Sequence, residues 1–152
     1  MLSFIQSILI RFYPLFILNG MWLGWWRNDY KNLRVYLIKF PLNINGANSI
    51  FGGSIASAAD PFLPLMFYFA LKRKGIQATV LTKSVSVKFI KPVKSIAYYD
   101  FIISDEELEL AKSHLIVSGK HIAIHQVYCT NHKGEAFAYA TIQSYMKLKG
   151  LG

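Results

Sequence analysis

Asn45-Gly46-Ala47-Asn48-Ser49-Ile50-Phe51-Gly52-Gly53, followed after six intervening residues by Asp60-Pro61, is the stretch on which the reading of this chain turns. Between Lys39 and Lys72, Asp60 is the one charged residue. A lone carboxylate in so apolar a run must be stabilised by its surroundings or used by them. The run Ile50 to Leu71 is apolar on nearly every face, which predicts a fully buried helix. Lys72-Arg73-Lys74-Gly75 ends it, with cations at the helix C-terminus and glycine after them. Two adjacent glycines at the start of such a helix let a ligand reach backbone N–H groups at its partly positive end. The pattern therefore offers an oxyanion site, with a carboxylate about two helical turns further along.

Outward from that helix the period changes. Upstream, residues 1 to about 19 read as a helix broken near Pro14, Leu33 to Phe40 as a first strand, and Asn43 to Ser49 as loop. Downstream, Val85, Val87 and Phe89 alternate with Ser84, Ser86 and Lys88, a half-buried strand closed by Lys91-Pro92. Ser95 to Ile103 is a second strand, and Ser104-Asp105-Glu106-Glu107 opens a short helix or turn as a capping box. His121 to Thr130 and Ala136 to Lys147 are two more strands, joined at Asn131-His132-Lys133-Gly134. One long buried helix wrapped by a curved antiparallel sheet is the economical arrangement, an α+β fold in a single domain over 1–152.

The composition narrows the function classes. Hydrophobic residues make up 53% and charged residues 16%, so some apolar surface is expected to be covered by a second subunit or a membrane. The net charge of +9 favours an anionic partner. The single Cys129 excludes an internal disulfide and a cysteine-based zinc cluster, and fits a cytoplasmic chain. The first thirty residues form an apolar, aromatic segment with Trp22, Trp25 and Trp26, expected to pack as a helical extension on the body, with a lipid interface as the other reading. A spanning helix is not expected there, because Arg11, Pro14, Asn19 and Gly20 interrupt the run.

The spacing resembles a known family. Asn45, then Phe51-Gly52-Gly53, then Asp60 is similar to the hotdog-fold acyl-CoA thioesterases of the PaaI-like type, with Phe51 where that family has histidine. The longer pattern Phe51-Gly52-Gly53-Ser54 to Asp60-Pro61-Phe62, followed by Lys83, Phe89, Lys91-Pro92 and the acidic segment Ser104 to Leu108, resembles the DUF4442 branch from about Arg34 to Lys147. The resemblance implies a hotdog homodimer, often paired into a tetramer, with active sites between subunits. Gly53, with Gly52, would donate N–H to the thioester carbonyl, and Asp60 from the other subunit would activate water or attack. Asn45 would orient the water or the carbonyl, and Thr82 would stand where relatives hold a water. Phe51 and Asn48, the latter in place of a usual glycine, would line the substrate. The substrate would be a thioester of coenzyme A or of a carrier-protein arm, and no metal or redox cofactor is implied.

Simpler readings stand beside these. Asp60 is equally suited to cap a helix restarting at Pro61, and the glycine pair to close packing. Lys72, Arg73, Lys74, Lys88, Lys91 and Lys94 would form one basic rim, with Lys83, Lys88 and Lys91 meeting substrate phosphates, or would be a solvated face. His121 and His125 are four apart but on a strand, too distant for one ion; His114 and His132 read as loop residues. Cys129 has no base to activate it. Nucleic acid is not expected, since aromatics and cations are not interleaved. The alternative to hydrolysis is a non-catalytic acyl- or lipid-binding hotdog dimer at a membrane.

Overall fold

The computed structural model of the chain describes residues 13–26 and 29–150. The expected helix before Tyr13 and the side chain of Trp25 lie outside the described residues. In chain order the elements are α1 (Pro14–Leu18), β1 (Met21–Trp26), β2 (Asn32–Ile38), α2 (Gly52–Ala59), α3 (Phe62–Arg73), β3 (Ala78–Phe89), β4 (Ile96–Ile102), α4 (Asp105–Ser118), β5 (Lys120–Thr130) and β6 (Ala136–Leu148). The six strands form one antiparallel sheet in the order β1-β2-β4-β5-β6-β3. It curls as a half-barrel around the helical run from Gly52 to Arg73.

That run is long and apolar enough to cross a membrane by composition, yet it is the core of the fold. Phe62, Leu63, Met66, Phe67, Ala70 and Leu71 of α3 are buried against Leu33, Val35, Leu37, Ala97, Tyr99, Phe101, Ala140 and Ile142 of the sheet. Each large side chain so buried contributes roughly 1.5–3 kcal/mol over its exposed state. The expected single helix is two, broken at Asp60-Pro61. Pro61 has no N–H to continue the ladder, and Pro64 sits in the first turn of α3, where the missing donor costs little. Asp60 does not cap α3: its N-cap residue is Pro61, with no side-chain cap.

Two further expectations are corrected. Met21–Trp26 is a strand pairing with β2, not a helical extension; Met21 and Leu23 point into the core while Trp22 is exposed. The strand after Ser95 is followed by a helix of 14 residues, α4, longer than the expected short helix or turn. Its capping box is as expected, with Glu107 N donating to Ser104 Oγ (3.1 Å) and Ser104 N to Glu107 Oε2 (2.8 Å). The helix runs on because Leu108, Ala111 and Leu115 recur on one face and are buried. Gly119 ends it in the left-handed conformation at φ 72°.

Candidate active site

The loop before α2 is built by Asn45. Its Oδ1 accepts from Ala47 N (3.0 Å), Ser49 N (3.2 Å) and Ser49 Oγ (3.0 Å). That oxygen is committed to the loop, leaving its amide NH2 as the group with hydrogen-bonding capacity. Asn48 adopts φ 53°, the left-handed region where glycine is favoured and asparagine is tolerated best. Its Oδ1 accepts from Lys39 Nζ at 2.7 Å. The loop thus keeps a glycine-like turn without glycine.

Phe51 is the N-cap residue of α2, with extended backbone at φ −58° and ψ 132°. Its carbonyl accepts from Ser54 N (3.0 Å) and Ile55 N (3.3 Å). The N–H groups of Gly52 and Gly53 have no acceptor among the described residues, as is usual for the first turn of a helix. Both glycines lie under aromatic rings. A methyl at Gly53 would sit 2.3 Å from Phe51 Cε1, and one at Gly52 3.2 Å from Phe89 Cζ. Phe51 and Phe89 are themselves 56% and 54% exposed, so two rings stand at the mouth of this helix end.

From Phe89 an open groove of about 690 Å³ runs between α2 and the edge strand β3. Ala56, Ser57, Asp60 and Pro61 form one wall, and Thr82, Lys83, Ser84, Val85, Val87 and Phe89 the other. The pairing of β3 with β6 shifts register between Thr82 and Ser84, a bulge at Lys83. Thr82 Oγ1 donates to the backbone oxygen of Asp60 at 3.1 Å, tying the bulge to the helix break and leaving its lone pairs to accept from a water. The Asp60 carboxylate is exposed and has no hydrogen-bond partner among the described residues.

The structure therefore brings Asp60, Thr82 and Lys83 into one groove whose end lies beside Gly52, Gly53 and Phe51. It sets Asn45 and Asn48 to building the loop. Lys91 is paired with Glu135, and Lys88 lies outside the groove lining. The single basic rim is corrected: Lys72, Arg73 and Lys74 precede β3, whereas Lys88 and Lys91 stand at its far end, about 35 Å away at the usual strand rise. Lys74 is paired with Glu109, which holds that carboxyl below its ordinary range. Phe89, Val85 and Val87 were legible as an apolar alternation; as groove lining they were missed, because alternation does not say which strand is an edge.

Among the described residues no three of His, Cys, Asp and Glu are grouped to hold a metal. The Cys129 thiol is buried and its pKa is pushed up to about 12, so it stays protonated. His114 lies on α4, not in a loop, with its Nδ1 2.9 Å from Nδ1 of His121 on β5. His125 Nε2 is 3.1 Å from Glu107 Oε1, without the alignment of a hydrogen bond. Burial, and for His121 the neighbouring His114, lowers both pKa values; Glu107 only partly offsets the burial of His125. The unfolded chain then takes up these protons near pH 6.5 while the folded chain still excludes them. Stability is full above that point and is expected to fall as pH drops from about 7 toward about 5. Melting temperature followed across this window should decline, and His121→Gln with His125→Gln should flatten the decline; an unchanged slope would refute it.

No protein-family model matches the chain, and no curated protein matches it. Solved structures do. A Pseudomonas aeruginosa protein described as a probable thioesterase aligns with a TM-score of 0.80 at 14% identity, over 94% of this chain and 96% of that one. A Chlorobaculum tepidum protein of unknown function aligns at 0.77 and 18% identity, over 94% and 91%. The PaaI protein of the Escherichia coli phenylacetic acid degradation operon aligns at 0.61 and 14% identity, over 95% and 90%. Helix, curled sheet and these likenesses together define a hotdog fold.

Proposed function

We infer that this chain is a thioesterase, hydrolysing an acyl thioester of coenzyme A or of a carrier arm to the free acid and the thiol. The observation that carries the reading is the pair of N–H groups at Gly52 and Gly53, without acceptors among the described residues, opening beside a groove that holds the Asp60 carboxylate, likewise unpaired among them. The carbonyl oxygen of the substrate would accept from those N–H groups, where the helix end favours developing negative charge. Asp60 would take a proton from water as its oxygen bonds to the carbonyl carbon. Collapse of the tetrahedral oxyanion then breaks the C–S bond, and the thiolate leaves and recovers the proton. Thr82, through its free lone pairs, would hold that water.

Asp60 stands seven positions after Gly53, about 10 Å along a helix. Within one protomer the carboxylate is therefore too far from the oxyanion donors to act on the same carbonyl. A second copy supplying Asp60 would remove that distance, and β3, the edge strand that lines the groove, is where it would pair. Exposed Ile122, Ile124 and Tyr128 on β5 offer a further face for a dimer of dimers. The test is thiol release from a panel of acyl-CoA thioesters, short to long. Release from at least one supports hydrolysis; tight binding of an acyl-CoA without release would favour the non-catalytic binding reading instead.

A further inference from the structure

We propose that the end of the molecule formed by α1 and the loops at residues 38–44 and 93–96 docks on an anionic phospholipid surface. This goes beyond the thioesterase reading and does not depend on it. Helix α1 buries none of its residues in the described structure: Leu15 is 55% exposed and Leu18 50%. Leu42 and Ile44 stand beside it, Leu42 at 71% exposure. The pieces are bonded into one surface. Asn43 Nδ2 donates to Asn19 O (3.0 Å) at the end of α1 and to Ile38 O (2.9 Å), and Lys39 N donates to Ser95 O (3.3 Å).

The segments that build this face carry charges of one sign. Residues 13–24, 38–48 and 93–96 carry Lys39 and Lys94 and no acid. The acid at this end of the strands, Glu135 in the β5–β6 hairpin, is paired with Lys91, while Asp105, Glu106, Glu107 and Glu109 gather at the opposite end, where α4 opens after β4. Half-exposed leucines beside two lysines match an interfacial lipid surface, which takes up the apolar side chains and neutralises the cations. A second copy meeting this face about a two-fold axis would set Lys39 and Lys94 against each other. The edge strand β3 and the β1 side that carries α1 lie at opposite ends of the strand order, so pairing along β3 leaves α1 open. The sequence leading into α1 continues the character, with Arg11 the one charge among its first twelve residues.

The test is flotation of the full chain with vesicles of phosphatidylcholine alone or mixed with phosphatidylglycerol. The protein should float with the mixed vesicles and not the neutral ones, and salt should weaken binding. Leu15→Glu with Leu18→Glu should weaken it at least about tenfold. Lys94→Gln, an exposed substitution that leaves the helix intact, should weaken it about fivefold. Melting curves establish that each variant is folded. No flotation with mixed vesicles, or binding that neither folded variant changes, would overturn the proposal. So would an α1 variant that dissociates an oligomer while still floating.

Discussion

Asp60→Asn is expected to lower thiol release by about 10²–10⁴-fold and to leave the fold as it was. The two halves of that expectation have separate grounds. The carboxylate is exposed, caps no helix and accepts no hydrogen bond among the described residues, so its loss removes no contact the fold uses. Surface substitutions of this kind shift stability by within about 0.5 kcal/mol. Asparagine keeps the shape and leaves nothing to take a proton from water. Turnover that survives in a folded Asp60→Asn protein would remove the acid from the mechanism. The substitution also separates the two explanations of a charge in an apolar run: a structural carboxylate would show itself in the melting temperature, a chemical one in the rate.

The long apolar helix, the strand alternation after Ser84 and the capping box at Ser104 could be read from residues because each follows a local rule: uniform hydrophobicity, period two, and reciprocal side-chain bonds. β1 could not, since Met21 to Trp26 is apolar at almost every position and shows no period to separate strand from helix. The length of α4 was hidden by Leu110, Ile116 and Val117, apolar residues that face solvent and blur the buried stripe. At the site, the glycine pair and Asp60 were visible in spacing. What joins them was not: the bulge at Lys83 and the Thr82 bond to Asp60 depend on which strand the sheet leaves at its edge, and that is fixed by long-range pairing. The basic rim failed for the same reason, because β3 carries its two lysine groups to opposite ends.

The glycine pair allows the second large test, because a backbone donor can be removed here. Gly52 is the first residue of α2, where proline is favoured and a missing N–H breaks no helical bond. The preceding residue, Phe51, already has the extended backbone that proline requires of its neighbour. Gly52→Pro should therefore fold, while deleting one of the two donors proposed to hold the oxyanion. Gly52→Ala is its control: it brings a Cβ to the same place, 3.2 Å from the tip of the exposed Phe89 ring, which has room to yield, and it keeps the N–H. If Gly52 polarises the carbonyl, the proline variant should lose about 10²–10³-fold in kcat while the alanine variant retains most of it. Equal rates in the two would leave Gly53 as the oxyanion donor and make Gly52 a packing residue under Phe89. Equal and large losses would mean that the position of the Phe89 ring, rather than the N–H beneath it, is what the substrate reads.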